Sequence, residues 1–417
     1  GIKELWGIDF FWIAAIGLVV LTALYTIFGG MKSVLYTSVL QTPILLLGSL
    51  IILVLGFKEL GGWDEMMRVC GAVTVNDYGD TMTNLIRSND DANFPWLGAL
   101  IGSAIIGFWY WCTDQFIVQR VLSGKNEKEA RRGTIFGAYL KLLPVFLFLI
   151  PGMIAFALHQ KYIGAGGEGF LPMLANGTAN ADAAFPTLVA KLLPAGVKGL
   201  VVCGILAALM SSLASLFNSS AMLFTIDFYK RFRPETPEKK LVGIGQIATV
   251  VIVILGILWI PIMRSVGDVL YTYLQDVQSV LAPGIAAAFL LGICWKRTSA
   301  QGGMWGLIAG MIIGLTRLGA KVYYSNAGEV ADSTFKYLFY DMNWLFFCGW
   351  MFLFCIIVVI VVSLATEAPT AEKIQGLVFG TATKEQKAAT RASWDHWDII
   401  HTVIILAITG AFYWYFW

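Results

Sequence analysis

The chain has 417 residues, of which 58% are hydrophobic and 13% are charged, and its mean hydropathy is +0.72. A water-soluble protein of this size would not cover its surface with so few charges, because an average soluble domain carries about 25% charged residues. The composition therefore predicts a protein embedded in a lipid bilayer, and a net charge of +2 gives no sign of a nucleic-acid partner, which would require a basic face or stripe.

Ten apolar stretches are long enough to cross a bilayer, since a helix needs about 20 apolar residues for this. They run near 8–28, 31–57, 95–118, 134–158, 196–229, 240–263, 269–295, 301–324, 342–366 and 398–417. A turn at 29–32 separates the first two. The basic loops 119–133 and 230–240 should face the cytoplasm, which places the acidic loop 58–94 outside. The sequence thus predicts an all-α membrane protein with a polar cytoplasmic linker at 367–397.

Aromatic and polar residues end the third span in the run Trp109-Tyr110-Trp111-Cys112-Thr113-Asp114-Gln115. Aromatic rings stack on the apolar faces of sugar rings, and amides and hydroxyls bond sugar OH groups. The alternative is an aromatic belt at the membrane interface. Asp114 and Gln115 favour a binding site, because further apolar residues follow them.

Lys141 lies about eight residues, or roughly 12 Å, from the start of the fourth span. It either snorkels back to the interface or contacts a ligand in a central cavity, and the residues alone leave both open.

The fifth span carries Ser211, Ser215 and Ser219 at intervals of four, and hence on one helix face. Hydroxyl and carbonyl oxygens are hard neutral ligands that sodium accepts. However, small residues also let membrane helices pack closely, and packing is the more common reason for such a face.

Three polar residues, Gln275, Asp276 and Gln278, precede the helix-breaking pair Pro283-Gly284 in the seventh span. This pattern favours a helix that lines a cavity. The chain shows neither a catalytic arrangement nor a Walker-type phosphate loop, so we expect neither an enzyme nor ATP-driven transport.

The chain resembles the solute:sodium symporter family, and within it the sodium/glucose cotransporters. The matching segments are TALYTIFGGM at 22–31, WYWCTDQFIVQR at 109–120, YLKLLP at 139–144, SSLASLFNS at 211–219 and FLLGICWKR at 289–297. The resemblance implies sodium-coupled symport of a glucose- or galactose-like sugar by alternating access. It also implies a partial LeuT-like inverted-repeat fold in a multi-pass protein of the plasma membrane or bacterial inner membrane.

The same resemblance implies a domain order. Residues 1–57 would be the last two helices of the first repeat, 58–94 an extracellular loop and 95–295 the five-helix second repeat. Residues 296–417 would be accessory helices. The family's opening helices should precede Gly1 and complete both sites, so we expect this piece alone to bind neither ligand well.

The site residues are likewise implied by the resemblance. Tyr110 matches the aromatic residue that closes the sugar site from inside, with Trp111 beside it. Lys141 and Gln275 match residues that contact the sugar.

The implied sodium site consists of the Ala208 carbonyl and the Ser211 and Ser212 hydroxyls. Ser38 stands where many relatives have Asp and Ala214 lacks a hydroxyl, which together argue for one sodium per sugar. Gly107 replaces a side chain that often bonds the sugar, so the choice of sugar stays open.

Two alternatives remain. One is sodium symport of another solute, such as inositol, sialic acid, a carboxylate or an amino acid. An anionic solute would need a cationic partner, and Lys141 is the only lysine expected deep in a span. The other is a sensor that binds sugar without transporting it.

Overall fold

The computed structural model describes residues 10–174, 177–264, 270–327 and 331–416. These residues are mostly helical, and extended backbone pairs among them only in isolated bridges. The helices are α1 (Phe10–Leu60), α2 (Trp63–Gly71), α3 (Trp96–Phe108), α4 (Gln115–Leu122), α5 (Glu127–Pro144), α6 (Ile150–Gly164), α7 (Ala184–Leu192), α8 (Ala195–Met222), α9 (Glu238–Arg264), α10 (Leu270–Cys294), α11 (Ala300–Asn326), α12 (Trp344–Ala365), α13 (Lys384–Ala392) and α14 (His396–Tyr415). Within the described ranges, ten helical segments are long and apolar enough to cross a membrane, which confirms the predicted all-α membrane architecture.

Wider π-helical turns extend or join several of these helices. They are Trp109–Thr113 after α3, Val145–Leu149 between α5 and α6, Leu223–Tyr229 after α8, and Tyr337–Asp341 ahead of α12. Such turns are rare and occur often at functional sites. The first of them contains Tyr110 and Trp111.

Two predicted interruptions are absent. The turn expected at 29–32 does not break α1, which runs through Gly29 and Gly30. Glycine costs about 1 kcal/mol relative to alanine inside a helix, and contacts on both sides of the pair offset this cost. Ala23 packs in an apolar cluster before it, and Ser38 bonds to α8 after it.

The second interruption was expected at Pro283-Gly284, but α10 continues to Cys294. A Cβ on Gly284 would lie 3.3 Å from the Gly310 Cα, so the absence of a side chain here lets α10 approach α11 closely. A real break occurs inside the predicted 95–118 span, where Asp114 adopts an extended conformation between the π-helical turn and α4.

The chain divides into two compact units. The first unit holds residues Gly1–Cys70 and Leu142–Asp268. In it α1 packs along α8, and both contact α9. A Cβ on Gly48 would lie 2.6 Å from Val201 Cγ2, the close approach that small residues allow between membrane helices.

The second unit holds residues Gly71–Lys141 and Val269–Trp417, and the division falls within α5. In this unit α10, α11 and α12 pack against one another, and α3 packs on α10 and α12. The core of that packing includes Ile105, Ala286 and Leu345. The predicted boundaries of the two repeats stay a prediction.

Candidate sugar and sodium sites

The π-helical turn after α3 presents Tyr110 and Trp111. Their rings meet edge to face at 90°, with centroids 5.2 Å apart. The turn ends at Asp114, whose side chain accepts a hydrogen bond from the Phe116 N–H at 3.1 Å and so caps α4. Trp111 is 48% exposed, which leaves part of its ring free to contact a ligand.

Lys141 lies beside Trp111 of this aromatic pair. Its Nζ is 5.6 Å from the centroid of the Trp111 ring, within the range of a cation–π interaction. The second unit thus brings together two residues that are thirty positions apart in sequence. A ring face beside an ammonium group can hold a polyol, because the ring covers its C–H face while the ammonium donates to its hydroxyls.

Gln275 lies on α10 in the same unit, and this helix packs against the Trp109–Thr113 turn. Gln275 is half-buried, and the next residue, Asp276, is buried. The roles of Tyr110, Trp111 and Lys141 as sugar ligands, like that of Gln275, stay predictions.

A buried charge cluster surrounds Asp276. Its carboxylate accepts a hydrogen bond from the Lys321 ammonium and lies 3.6 Å from the Arg317 guanidinium. Arg317 is 1% exposed. It donates to the Met342 carbonyl at 2.8 Å and stacks 4.0 Å from the Phe347 ring centroid. The cluster therefore links α10, α11 and the start of α12.

Lys321 is a further lysine within a candidate membrane span, four residues from the end of that span, and it pairs with Asp276. One signal was available in the sequence. Arg317 and Lys321 are four residues apart in an apolar stretch, so they share a helix face, and a carboxylate in the preceding span is a natural partner for that face.

Ser211 contributes to packing between α8 and α1. It is buried, and its Oγ lies 2.5 Å from the Ser38 Oγ. Ser215 donates to the Ser211 carbonyl at 3.0 Å, and Ser219 donates to the Leu216 carbonyl at 3.0 Å. Most of the serine face therefore bonds to its own helix, as close packing requires.

Ala208 and Ser212 face a different space. They are four residues apart and share an apolar cavity of about 260 Å³. The other residues that line it are Leu45, Phe148, Phe185, Ile205 and Leu209. The Ser212 side chain is exposed, so its hydroxyl oxygen can bind sodium. The Ala208 carbonyl oxygen has a second lone pair and can also bind sodium.

The Cα–Cβ bonds of Ser211 and Ser212 leave α8 about 100° apart, because consecutive residues are rotated by this angle around an α-helix. Accordingly, Ser211 lies against Ser38 while Ser212 lines the cavity. The assignment of Ala208, Ser211 and Ser212 to a sodium site stays a prediction.

Comparisons with known proteins identify relatives that match most of the chain. The model described as the sodium:solute symporter family matches residues 2–310. The sodium/mannose cotransporter SLC5A10 of Bos taurus is 35% identical over 97% of this chain and 72% of its own length. The sodium/myo-inositol cotransporter 2 of Homo sapiens is 35% identical over 89% of this chain and 56% of its own length. The sodium/glucose cotransporter 1 of Ovis aries is 38% identical over 87% of this chain and 57% of its own length.

The chain thus spans little more than half the length of several relatives that it matches. All three are named as cotransporters, which agrees with the prediction that the chain is not an enzyme. The resemblance to the family, deduced from the motifs, is confirmed.

A solved structure of similar fold is the substrate-bound outward-open state of a Na⁺-coupled sialic acid symporter. Its TM-score is 0.66, with 22% identity over 88% of this chain and 70% of that chain. This likeness confirms the predicted LeuT-like transporter fold, and the ten candidate spans confirm a multi-pass membrane protein. Sodium is the coupling ion that the family and this structure both name, and together these findings show that the chain belongs to the sodium:solute symporter family.

Proposed function

We propose that the protein takes up a neutral sugar or polyol together with sodium. The observation that carries this proposal is the agreement among relatives at 35–38% identity, which are named for mannose, myo-inositol and glucose. All three solutes are neutral rings bearing many hydroxyls. The pairing of the Trp111 ring with the Lys141 ammonium supports the same class of solute, because it offers a stacking face beside a hydrogen-bond donor.

In the proposed mechanism, Trp111 covers one face of the sugar, Lys141 and Gln275 bond its hydroxyls, and Tyr110 closes the site from inside. Sodium binds at the Ala208 carbonyl and the Ser212 hydroxyl, with Ser211 as a third ligand. Sodium stabilises the outward-open state, and the sugar then stabilises the closed state. Each ligand shifts the equilibrium only by its differential affinity for the two states.

We further propose a ratio of one sodium to one sugar. Many family members have an Asp at position 38, and here the Ser38 hydroxyl bonds to Ser211. Ala214 is fully buried and offers no hydroxyl. A second sodium site of this kind would therefore lack its carboxylate and one hydroxyl.

The direct test is uptake into proteoliposomes that carry the full-length protein. Labelled glucose, mannose and myo-inositol would each be offered with an inward sodium gradient, and potassium would replace sodium in the control. We expect accumulation of at least one of them, and a loss of that accumulation in potassium.

Two results would contradict the proposal. Sodium-dependent current without accumulation would indicate a sensor. Failure to accumulate any of the three solutes, combined with accumulation of sialic acid, would indicate an anionic substrate.

A further inference from the structure

A groove of about 380 Å³ lies between α5 and α14 in the second unit. On α5 it is lined by Arg132, Phe136 and Tyr139, which follow one another at intervals of four and three residues and so share a helix face. On α14 it is lined by Trp397 and His401, again four residues apart. The groove therefore follows the second to fourth turns of α5 and the first two turns of α14.

One end of the groove is closed and the other is charged. The Tyr139 hydroxyl lies 3.1 Å from His401 Nδ1, which joins the two helices at the deeper end. Arg132 lies seven residues earlier on α5, about 10 Å towards its start. Loop charges place that start at the cytoplasmic surface, so the charged end lies at the level of the lipid headgroups.

Three cations converge at this end. Asp395 lies 3.2 Å from the Arg132 guanidinium and 4.0 Å from the Lys128 Nζ. Arg131 donates to the Ser393 hydroxyl at 2.9 Å. Two of these cations share the half-buried carboxylate of Asp395 and the third bonds a neutral hydroxyl, so these contacts leave positive charge for a further anion.

A second carboxylate, Asp398, also lines the groove. It is 8% exposed, and one of its oxygens accepts the Asp395 N–H at 3.1 Å as part of the cap of α14. Asp398 is therefore engaged in the helix cap, and Lys128 and Arg132 both pair with Asp395.

The walls of the groove are apolar and open. Phe136 is 62% exposed and Trp397 is 55% exposed, and Ile135 lines the groove between them. In a bilayer these side chains meet lipid. Trp at this depth is typical of the membrane interface, and basic pockets between helices on the cytoplasmic side bind anionic headgroups.

We propose that this groove binds one anionic phospholipid of the cytoplasmic leaflet. Its phosphate lies against Lys128, Arg131 and Arg132, and one acyl chain lies along Phe136 and Trp397. The site is independent of the sugar and sodium residues, so this proposal does not depend on the transport reaction.

Native mass spectrometry of the full chain in detergent tests the proposal, with phosphatidylglycerol and phosphatidylcholine as the probes. We expect phosphatidylglycerol to be retained about tenfold more tightly. Arg132→Gln should weaken its retention about fivefold, the effect of one cation near a lipid surface. The matched control is Lys125→Gln, because Lys125 is an exposed cation outside the groove, and it should have no effect.

Equal retention of the two lipids would overturn the proposal, as would equal losses in Arg132→Gln and Lys125→Gln. Glycerol phosphate separates the lipid from its headgroup. If this soluble anion displaced phosphatidylglycerol at equal concentration, the groove would be a phosphate site and not a lipid site.

A second measurement needs no change to the charged residues. Phosphatidylglycerol with brominated chains should quench the tryptophan fluorescence of the parent protein more than that of Trp397→Phe. Brominated phosphatidylcholine should show a smaller difference between the two proteins. Equal quenching by brominated phosphatidylglycerol would show that no anionic lipid lies beside Trp397.

Discussion

The two compact units bury different kinds of polar group. Among the described residues of the first unit, the buried polar side chains are serines and threonines, with His159 as the exception. The second unit buries ionisable side chains, among them Asp91, Asp276 and Arg317. The first unit contains the predicted sodium ligands, and the second contains the predicted sugar ligands.

This difference determines how each unit is held together. A buried hydroxyl can bond within its own helix, as Thr22 does to the Leu18 carbonyl and Thr26 does to the Thr22 carbonyl. A buried charge needs partners from elsewhere, because an unpaired charge in a membrane costs several kcal/mol. The Asp276 cluster therefore fixes three helices to one another. By contrast, α1 and α8 are joined by packing, by the Ser38–Ser211 contact and by the bond from the Tyr25 hydroxyl to the Met210 carbonyl.

The largest expected effect follows from removing the carboxylate of that cluster. Asp276→Ala leaves Arg317 and Lys321 without their anion, and breaking a buried pair in this way costs about 3–5 kcal/mol. Thermal denaturation of the purified protein in detergent would show a much lower midpoint.

The matched control for this change is Asp332→Ala. Asp332 also pairs with a lysine, Lys336, but its side chain is 94% exposed, so its loss should leave stability nearly unchanged. If both variants unfolded at the same temperature, the buried cluster would not be what holds the second unit together.

Much of the fold could be predicted because membrane spans are read from length and apolarity alone. The continuity of α1 through Gly29 and of α10 through Pro283 could not, since packing against other helices outweighs local preference there. The break at Asp114 was hidden, because the short polar run Thr113-Asp114-Gln115 lies between aromatic residues and the apolar residues 116–118.

The site was harder to predict. Tyr110 and Trp111 are adjacent in sequence. The contact of Trp111 with Lys141, however, depends on the direction in which α5 runs after the loop that precedes it. The bond between Ser38 and Ser211 joins residues 173 positions apart. The residue pattern indicated Trp111, Lys141 and Ser211 as candidates, the resemblance to a family added Ser38, and neither indicated Lys321.

A change at the sugar residues should alter uptake without altering the fold. Lys141 is exposed, so Lys141→Met should leave stability nearly unchanged. Loss of a hydrogen bond from a charged donor costs about 1.5–3 kcal/mol, and the KM for sugar should therefore rise at least tenfold in proteoliposome uptake.

The first unit supplies the control for this change. Lys191 lies 4.7 Å from the Phe170 ring centroid, a contact like that of Lys141 with Trp111. Lys191→Met should leave the KM for sugar unchanged. If the two variants behaved alike, the cation–π pairing would be structural in both units.

The predicted sodium ligands lie in the first unit, and a change among them should alter how uptake depends on sodium. Ser212→Ala removes the hydroxyl that faces the apolar cavity, and uptake should lose its sodium dependence while the sugar-binding residues stay intact. The control is Ser219→Ala, because the Ser219 hydroxyl already bonds to the Leu216 carbonyl. Uptake would be measured against sodium concentration, and an unchanged half-saturating concentration in Ser212→Ala would contradict the assignment.

The smallest expected effect is a response to acid in a loop of the second unit. Burial by itself would raise the pKa of Asp91, but N–H groups of Phe94 and Asn93, the Asn76 amide and the Arg87 guanidinium together lower it. A carboxyl whose pKa is lower in the folded state stabilises that state above its unfolded pKa of about 3.9. That stabilisation is lost as the pH falls through the lower, folded value.

Hydrogen exchange of residues 76–97, expressed as protection factors, would measure this response between pH 7 and pH 3. Protection should fall below about pH 4, because protonated Asp91 accepts its backbone bonds less strongly. Asp91→Asn should show weaker protection at pH 7 and a smaller change with pH. Serine and threonine hydroxyls do not titrate in this range, so protection in α8 should stay constant over it. If protection fell in parallel in residues 76–97 and in α8, acid would be unfolding the protein as a whole. The two units would then not differ in how they are stabilised.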